Sequence, residues 1–100
     1  MEEYIEKIRD ILTHLEYEHI ENQSPDIELW VATERSPKLP WENYHIDDLC
    51  VLIPLKTEAP DFFWIFMRSL SFLHRHYSWY NKEITLISVN FWNAYHPYQD

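Results

Sequence analysis

Residues 61–80 have the sequence DFFWIFMRSLSFLHRHYSWY, and the predicted fold is built around this stretch. Its apolar side chains repeat at intervals of three and four residues, which is the spacing of one side of an α-helix. That stripe is formed by Phe62, Phe66, Leu70, Leu73 and Tyr77. Further apolar residues widen it to most of the helix surface, and a helix so apolar has to be covered on more than one side. We therefore predict a buried helix over residues 61–80.

One strand is predicted before this helix in the sequence and one after it. Residues 49–55, LCVLIPL, are continuously apolar, as expected of a central strand that is covered on both faces. In residues 84–92, Ile87, Val89 and Phe91 alternate with other side chains, which indicates a second strand. If both strands share a sheet, they form with the helix a parallel, right-handed crossover unit.

The first part of the chain predicts one more helix and one more strand. Residues 2–20 predict an amphipathic helix, with Ile5, Ile8, Leu12 and Leu15 on one side. In residues 27–33, large aliphatic side chains recur at every second position, which predicts a strand with one face in water. Residues 35–48 form a long connection that contains two prolines. The predicted fold is a single α+β domain over residues 1–100, a two-layer sandwich in the order helix-strand-strand-helix-strand. It has a small mixed sheet with both helices mostly on one face.

Composition excludes several classes of protein. The chain of 100 residues contains no glycine, so the dinucleotide-binding fingerprint, the P-loop and the nucleophile elbow are all absent. Its formal net charge is −9, which argues against direct binding of nucleic acid, because a phosphate backbone is bound through cationic side chains. The same charge favours encounter with another protein that has a basic surface.

Chemistry-bearing residues are present but show no catalytic or metal-binding spacing. The six histidines do not form a zinc motif, so no metal and no cofactor are expected. Cys50 lies within an apolar strand and is predicted to be a core residue instead of a nucleophile. These features predict that the protein is not an enzyme. No apolar run approaches the roughly 20 residues that cross a bilayer, so no membrane contact is expected. The acidic N-terminus does not resemble a signal peptide, so a cytoplasmic location is expected.

Aromatic and acidic residues outside the predicted core are the candidates for partner binding. Tyr and Trp provide large contact areas at low entropic cost and are common at interface hot spots. One group lies in the long connection and the other follows the last predicted strand, with Trp79 and Tyr80 as a third aromatic group at a helix end. The predicted partner-binding residues are Trp41, Glu42, Tyr44, His45, Asp47, Asp48, Trp92, Tyr95 and His96.

The leading functional hypothesis is a small acidic protein-binding module that covers a basic surface of a partner. Inhibitors and immunity proteins directed against nucleic-acid-processing enzymes have this physical character. The main alternative is a self-associating structural, adaptor or chaperone-like subunit, in which the aromatic surface is buried in a homodimer. A third hypothesis is a small-molecule enzyme or sensor that uses Tyr44, His45 and Asp48.

Overall fold

The computed structural model describes residues 2–21, 24–37, 50–56 and 61–96. These residues form three helices and three strands in the order α-β-β-β-α-α, so the predicted α+β class is confirmed. The elements are α1 (Glu2–His14), β1 (Glu18–Ile20), β2 (Ile27–Val31), β3 (Cys50–Pro54), α2 (Phe62–Tyr77) and α3 (Glu83–Tyr95). The predicted 14-residue connection at 35–48 falls mostly outside the described residues.

Helix α1 ends at His14, earlier than the predicted boundary at residue 20. The chain leaves the helix through Glu16, whose φ of 63° places it in the left-handed region that glycine usually occupies. The Glu16 amide donates to the Thr13 carbonyl (3.0 Å) and the Tyr17 amide donates to the Leu12 carbonyl (2.9 Å), the two hydrogen bonds of a Schellman motif. In a chain without glycine, Glu16 therefore takes the glycine position, and β1 begins two residues later.

The three strands form one antiparallel sheet in the order β1-β2-β3. In the register, His19 lies opposite Trp30 and Trp30 lies opposite Val51. Strand β2 alternates as predicted, and the side that carries Glu28 and Trp30 is the buried one. Every described pairing is antiparallel, so the predicted mixed sheet and its parallel crossover unit are wrong.

Strand β3 is buried on one face only. Val51 and Ile53 are almost fully buried, whereas Cys50 and Leu52 are exposed. Helix α2 lies beside this strand, where the Ser69 hydroxyl donates a hydrogen bond to the Leu52 carbonyl. The prediction that Cys50 is a core residue is therefore wrong, because the strand alternates between a buried and an exposed face instead of being covered on both.

Residues 84–92, predicted as a strand, lie within helix α3. Ile84, Ile87 and Phe91 are buried at intervals of three and four residues, which is helical spacing. The turn before the helix contains Asn81, whose side-chain oxygen accepts a hydrogen bond from the Glu83 amide (2.9 Å). Helices α2 and α3 thus form a helical hairpin, hereafter the α2–α3 hairpin.

One hydrophobic core joins the helices to the inner face of the sheet. Phe91 of α3 lies at its centre, with ring centroids 4.5 Å from Phe66 and 5.5 Å from Phe63. Tyr17 and Tyr77 meet edge to face, and their hydroxyl oxygens are 2.9 Å apart in a buried hydrogen bond. Within the described ranges, no helix combines the length and apolar character needed to cross a membrane.

Candidate interaction surfaces

The structure describes three of the predicted partner-binding residues. Trp92, Tyr95 and His96 lie at the C-terminal end of α3. The others lie outside the described residues, and their role stays a prediction: Trp41, Glu42, Tyr44, His45, Asp47 and Asp48.

The end of α3 lies against the start of α1. The Tyr95 ring is 5.8 Å from Tyr4, between centroids, and Tyr4 is 5.5 Å from Phe91. Burial raises the pKa of Tyr4, and the nearby Tyr95 and Glu3 raise it further. Tyr95 itself remains 37% exposed. An accessible tyrosine therefore stands close to the acidic N-terminal turn of α1.

The outer side of α1 is acidic. Glu3, Glu6 and Asp10 are exposed and recur at intervals of three and four residues, so they lie on one side of the helix. The opposite side of α1 is apolar and buried in the core. Together with Tyr95, these three carboxylates form a surface that we call the acidic edge.

Charge is segregated along the chain. Residues 1–61 contain 15 acidic and five basic residues, a net charge of −10, whereas residues 62–95 contain one acidic and three basic residues, a net charge of +2. The remaining residues, 96–100, contribute −1. Because residues 62–95 contain α2 and α3, the negative charge of the molecule belongs to the part that carries α1 and the sheet.

Several basic residues of that acidic part are already paired. Arg35 lies 3.2 Å from a Glu16 oxygen and 3.4 Å from a Glu18 oxygen, and these carboxylates raise its pKa. Lys56 lies 2.8 Å from Asp26. Among the described residues, by contrast, no ion pair is found for Glu3, Asp10, Glu21 or Glu34. Of these four carboxylates, Glu3 and Asp10 lie on the acidic edge, where they can meet cations of another molecule.

A buried ion pair connects α1 to the sheet. The Glu28 carboxylate accepts hydrogen bonds from Arg9 Nε (3.1 Å), from Arg9 Nη2 and from Trp30 Nε1 (3.0 Å). Burial alone would raise the pKa of Glu28, but the bonds from Arg9 and Trp30 outweigh it and hold that pKa below the ordinary value. All partners of this carboxylate are internal, so we assign it a structural role.

A second exposed surface lies on the α2–α3 hairpin. Between the two helices runs an apolar groove of about 300 Å³, lined by Met67, Ser71, His74, Thr85, Ser88, Val89 and Trp92. Val89 in the groove is 50% exposed, and Leu86 on the same helix is 61% exposed. We call the groove together with Leu86 the hairpin face. Sequence reasoning missed this surface, because it predicts a strand over residues 84–92, whereas these residues lie in helix α3.

The absence of charge could have revealed the hairpin face. From Ile84 to the end of α3 at Tyr95 the sequence contains no Asp, Glu, Lys, Arg or His, although a quarter of the whole chain is Asp, Glu, Lys or Arg. Solvent-facing sides of helices normally carry charged residues. A helix that is largely exposed and has no charged residue after Glu83 is therefore unusual for a surface in permanent contact with water.

A further cavity, next to Cys50, does not assemble a reactive site. This cavity of about 290 Å³ lies between β3 and α2 and is lined by Cys50, Leu52, Ile65, Arg68, Ser69 and Phe72. It contains no carboxylate or histidine that could act as a base toward the Cys50 thiol. In the described part of the chain, no three His, Cys, Asp or Glu side chains come together in a way that could hold a metal ion.

Comparison with known proteins identifies no relative: no family model, curated protein or solved structure matches this chain. Its function is therefore inferred from its own surfaces.

Proposed function

We propose that this protein is a small acidic protein-binding module that docks on a basic surface of another protein. Inhibitors and immunity-type proteins, for example those that cover the cationic site of a nucleic-acid-processing enzyme, work in this way. The observation that carries the proposal is the segregation of charge, −10 over residues 1–61 against +2 over residues 62–95. A cytoplasmic location belongs to the same proposal.

The acidic edge is the described surface that suits this role best. Its carboxylates Glu3, Glu6 and Asp10 stand on one side of α1, and two of them have no ion pair among the described residues. Complementary charge of this kind steers encounter and raises the association rate. Charge alone gives little affinity at an exposed surface, where each pair contributes about 0.2–1 kcal/mol.

Tyr95 supplies the apolar part of the proposed contact. Its ring is held between Tyr4 and Phe91, with centroid distances of 5.8 Å and 5.0 Å, and yet it remains partly exposed. A tyrosine that is already positioned loses little entropy on binding, and aromatic anchors of this kind dominate interface energies. Trp92 and His96 lie beside it, with ring centroids 4.8 Å apart.

Binding of a simple cationic probe tests the proposal. The probe is nona-arginine, and its affinity for the full chain is measured by calorimetry at rising NaCl concentration. Affinity should fall as salt rises, because screening weakens exposed charge pairs. Glu3→Lys should weaken binding about fivefold, since it removes one favourable pair and adds a repulsion.

Glu34→Lys is the matched control, because it makes the same charge change at an exposed residue next to the turn at Glu16, near the opposite end of α1. It should weaken binding less than about twofold. Tyr95→Ala should weaken binding without changing the salt dependence. Equal losses in Glu3→Lys and Glu34→Lys, or an affinity that salt leaves unchanged, would overturn the proposal.

A further inference from the structure

The α2–α3 hairpin carries a surface that the proposed docking on a basic partner does not use. A basic partner needs carboxylates, and residues 62–82 contain neither Asp nor Glu. Residues 84–95 contain no charged residue of either sign, so Glu83 is the one acid of the hairpin. The hairpin face is thus unsuited to a cationic protein and suited to a neutral, apolar one.

We infer that the hairpin face binds a second copy of this chain, forming a two-fold symmetric dimer of α2–α3 hairpins. This inference does not rest on the carboxylates of the acidic edge, although Trp92 contributes to both surfaces.

Charge selects the hairpin face for self-association. Two copies that each carry −9 repel each other wherever their acidic parts approach. Contact through α1 would bring Glu3, Glu6 and Asp10 of one copy toward carboxylates of the other. Contact through the hairpin face places uncharged side chains of the two copies against each other, among them Thr85, Val89 and Trp92.

Both helices of the hairpin contribute apolar side chains to this surface. Trp64, Met67, Ser71 and His74 follow one side of α2, Val89 lines the groove from α3, and Leu86 of α3 is 61% exposed. In a two-fold dimer, the exposed apolar side chains of each copy lie over the groove of the other copy. One contact therefore covers both apolar surfaces. Two antiparallel hairpins joined in this way make a four-helix arrangement.

The size of the surface sets the expected strength. A helix of 13 residues is about 20 Å long, and two packed helices together are about 20 Å wide, so the projected contact is roughly 400 Å². A standard stable interface buries about 800 Å² on each partner. We therefore expect a weak, reversible dimer and not an obligate one.

Salt dependence separates this dimer from binding to a basic partner. Rising NaCl screens the repulsion between two acidic copies, so it should strengthen the dimer. The same change should weaken binding to nona-arginine. Opposite responses to salt make failure of one inference distinguishable from failure of the other.

Sedimentation velocity of the full chain, from low micromolar to several hundred micromolar and at low and high NaCl, tests the inference. The wild type should shift from monomer to dimer with concentration, at lower concentrations in high salt. Val89→Glu should raise the dissociation constant at least about tenfold, because it places two unpaired carboxylates inside a desolvated contact.

Ala94→Glu is the matched control. Ala94 is exposed on the same helix, about 140° around its axis from Val89, and the substitution makes an equal change in charge. It should leave the dissociation constant within about threefold of the wild type. Circular dichroism checks that both variants keep their helices. A monomer at every concentration and salt, or a dimer that Val89→Glu leaves intact, would overturn the inference.

Discussion

Replacing Glu28 should destabilise the fold by an amount that depends on what replaces its carboxylate. Glu28 is 9% exposed and holds Arg9 of α1 and the indole of Trp30 in β2. Glu28→Ala removes the acceptor of the Trp30 N–H. Because Trp30 is itself only 9% exposed, leaving this donor unpaired costs about 1–3 kcal/mol. Glu28→Gln retains one oxygen as the acceptor for Trp30 but loses the charge and the second acceptor oxygen, which binds Arg9.

The contribution of Arg9 has to be discounted, because its side chain is 33% exposed and also contacts Glu6. Losing Glu28 as a partner therefore adds only about 1 kcal/mol through Arg9. The sum predicts that Glu28→Ala lowers the free energy of unfolding by about 3 kcal/mol. For Glu28→Gln we expect a loss of about 1 kcal/mol.

Urea denaturation followed by tryptophan fluorescence measures these differences, with the slope of the transition checked for each variant. Glu6→Gln is the control, because Glu6 contacts the same arginine with a side chain that is 60% exposed, and it should cost less than about 0.5 kcal/mol. If Glu28→Ala costs no more than Glu6→Gln, or no more than Glu28→Gln, then the buried hydrogen bonds do not determine the stability at this position.

The pKa of Glu28 adds a pH dependence with a definite sign. Its folded-state pKa lies below the ordinary value of 4.5, so its ionised form stabilises the fold. That contribution is fully present above the unfolded-state pKa and is lost as pH falls through the lower folded-state pKa. The stability difference between wild type and Glu28→Gln should therefore shrink on acidification below about pH 4.5, and a difference that stays constant would contradict the assignment.

Three further predictions concern single residues. Glu16→Gly should raise the free energy of unfolding by about 0.5–1 kcal/mol, because glycine adopts the left-handed backbone conformation without strain. Glu16→Ala should lower the free energy of unfolding, because it loses the Arg35 pair without that relief. Urea denaturation measures both variants, and an alanine variant that is stabilised as much as the glycine variant would refute this. Phe91→Ala should cost about 3–5 kcal/mol in the same assay, since the ring is fully buried among other rings, and a loss below about 1 kcal/mol would show that it is not central to the core. Cys50 is exposed, so a thiol reagent should modify one thiol per chain without denaturant; reaction only after unfolding would contradict its position.

The elements with one unambiguous pattern could be predicted from the sequence. Helix α2 lies within the predicted range 61–80, and β3 differs from the predicted 49–55 by one residue at each end. Residues 84–95 satisfy two patterns: Ile84, Ile87 and Phe91 have helical spacing, whereas Ile87, Val89 and Phe91 alternate as in a strand. Packing against α2 decides between them, and that contact is not visible in a local window.

Long-range partners explain the other differences. Alternation places Glu28 on the same face as Trp30, but its pairing with Arg9, 19 residues earlier, is not visible in the local pattern. Likewise, Glu16 ends α1 in the left-handed conformation. Glycine usually marks such a position in a sequence, and this chain has none. For the candidate surfaces, the sequence indicated Trp92, Tyr95 and His96, and the wrong strand assignment hid Leu86 and Val89.

The central claim is that charge divides this molecule into an acidic surface for a basic partner and a neutral one for its own copy. Residue-resolved NMR of the labelled full chain measures both at once, by titration with nona-arginine and by dilution. The account predicts that nona-arginine shifts the amides of Glu3, Glu6 and Tyr95, and that dilution shifts those of Leu86 and Val89. Shifts from nona-arginine that centre on Leu86 and Val89, or dilution shifts that centre on the acidic edge, would contradict it.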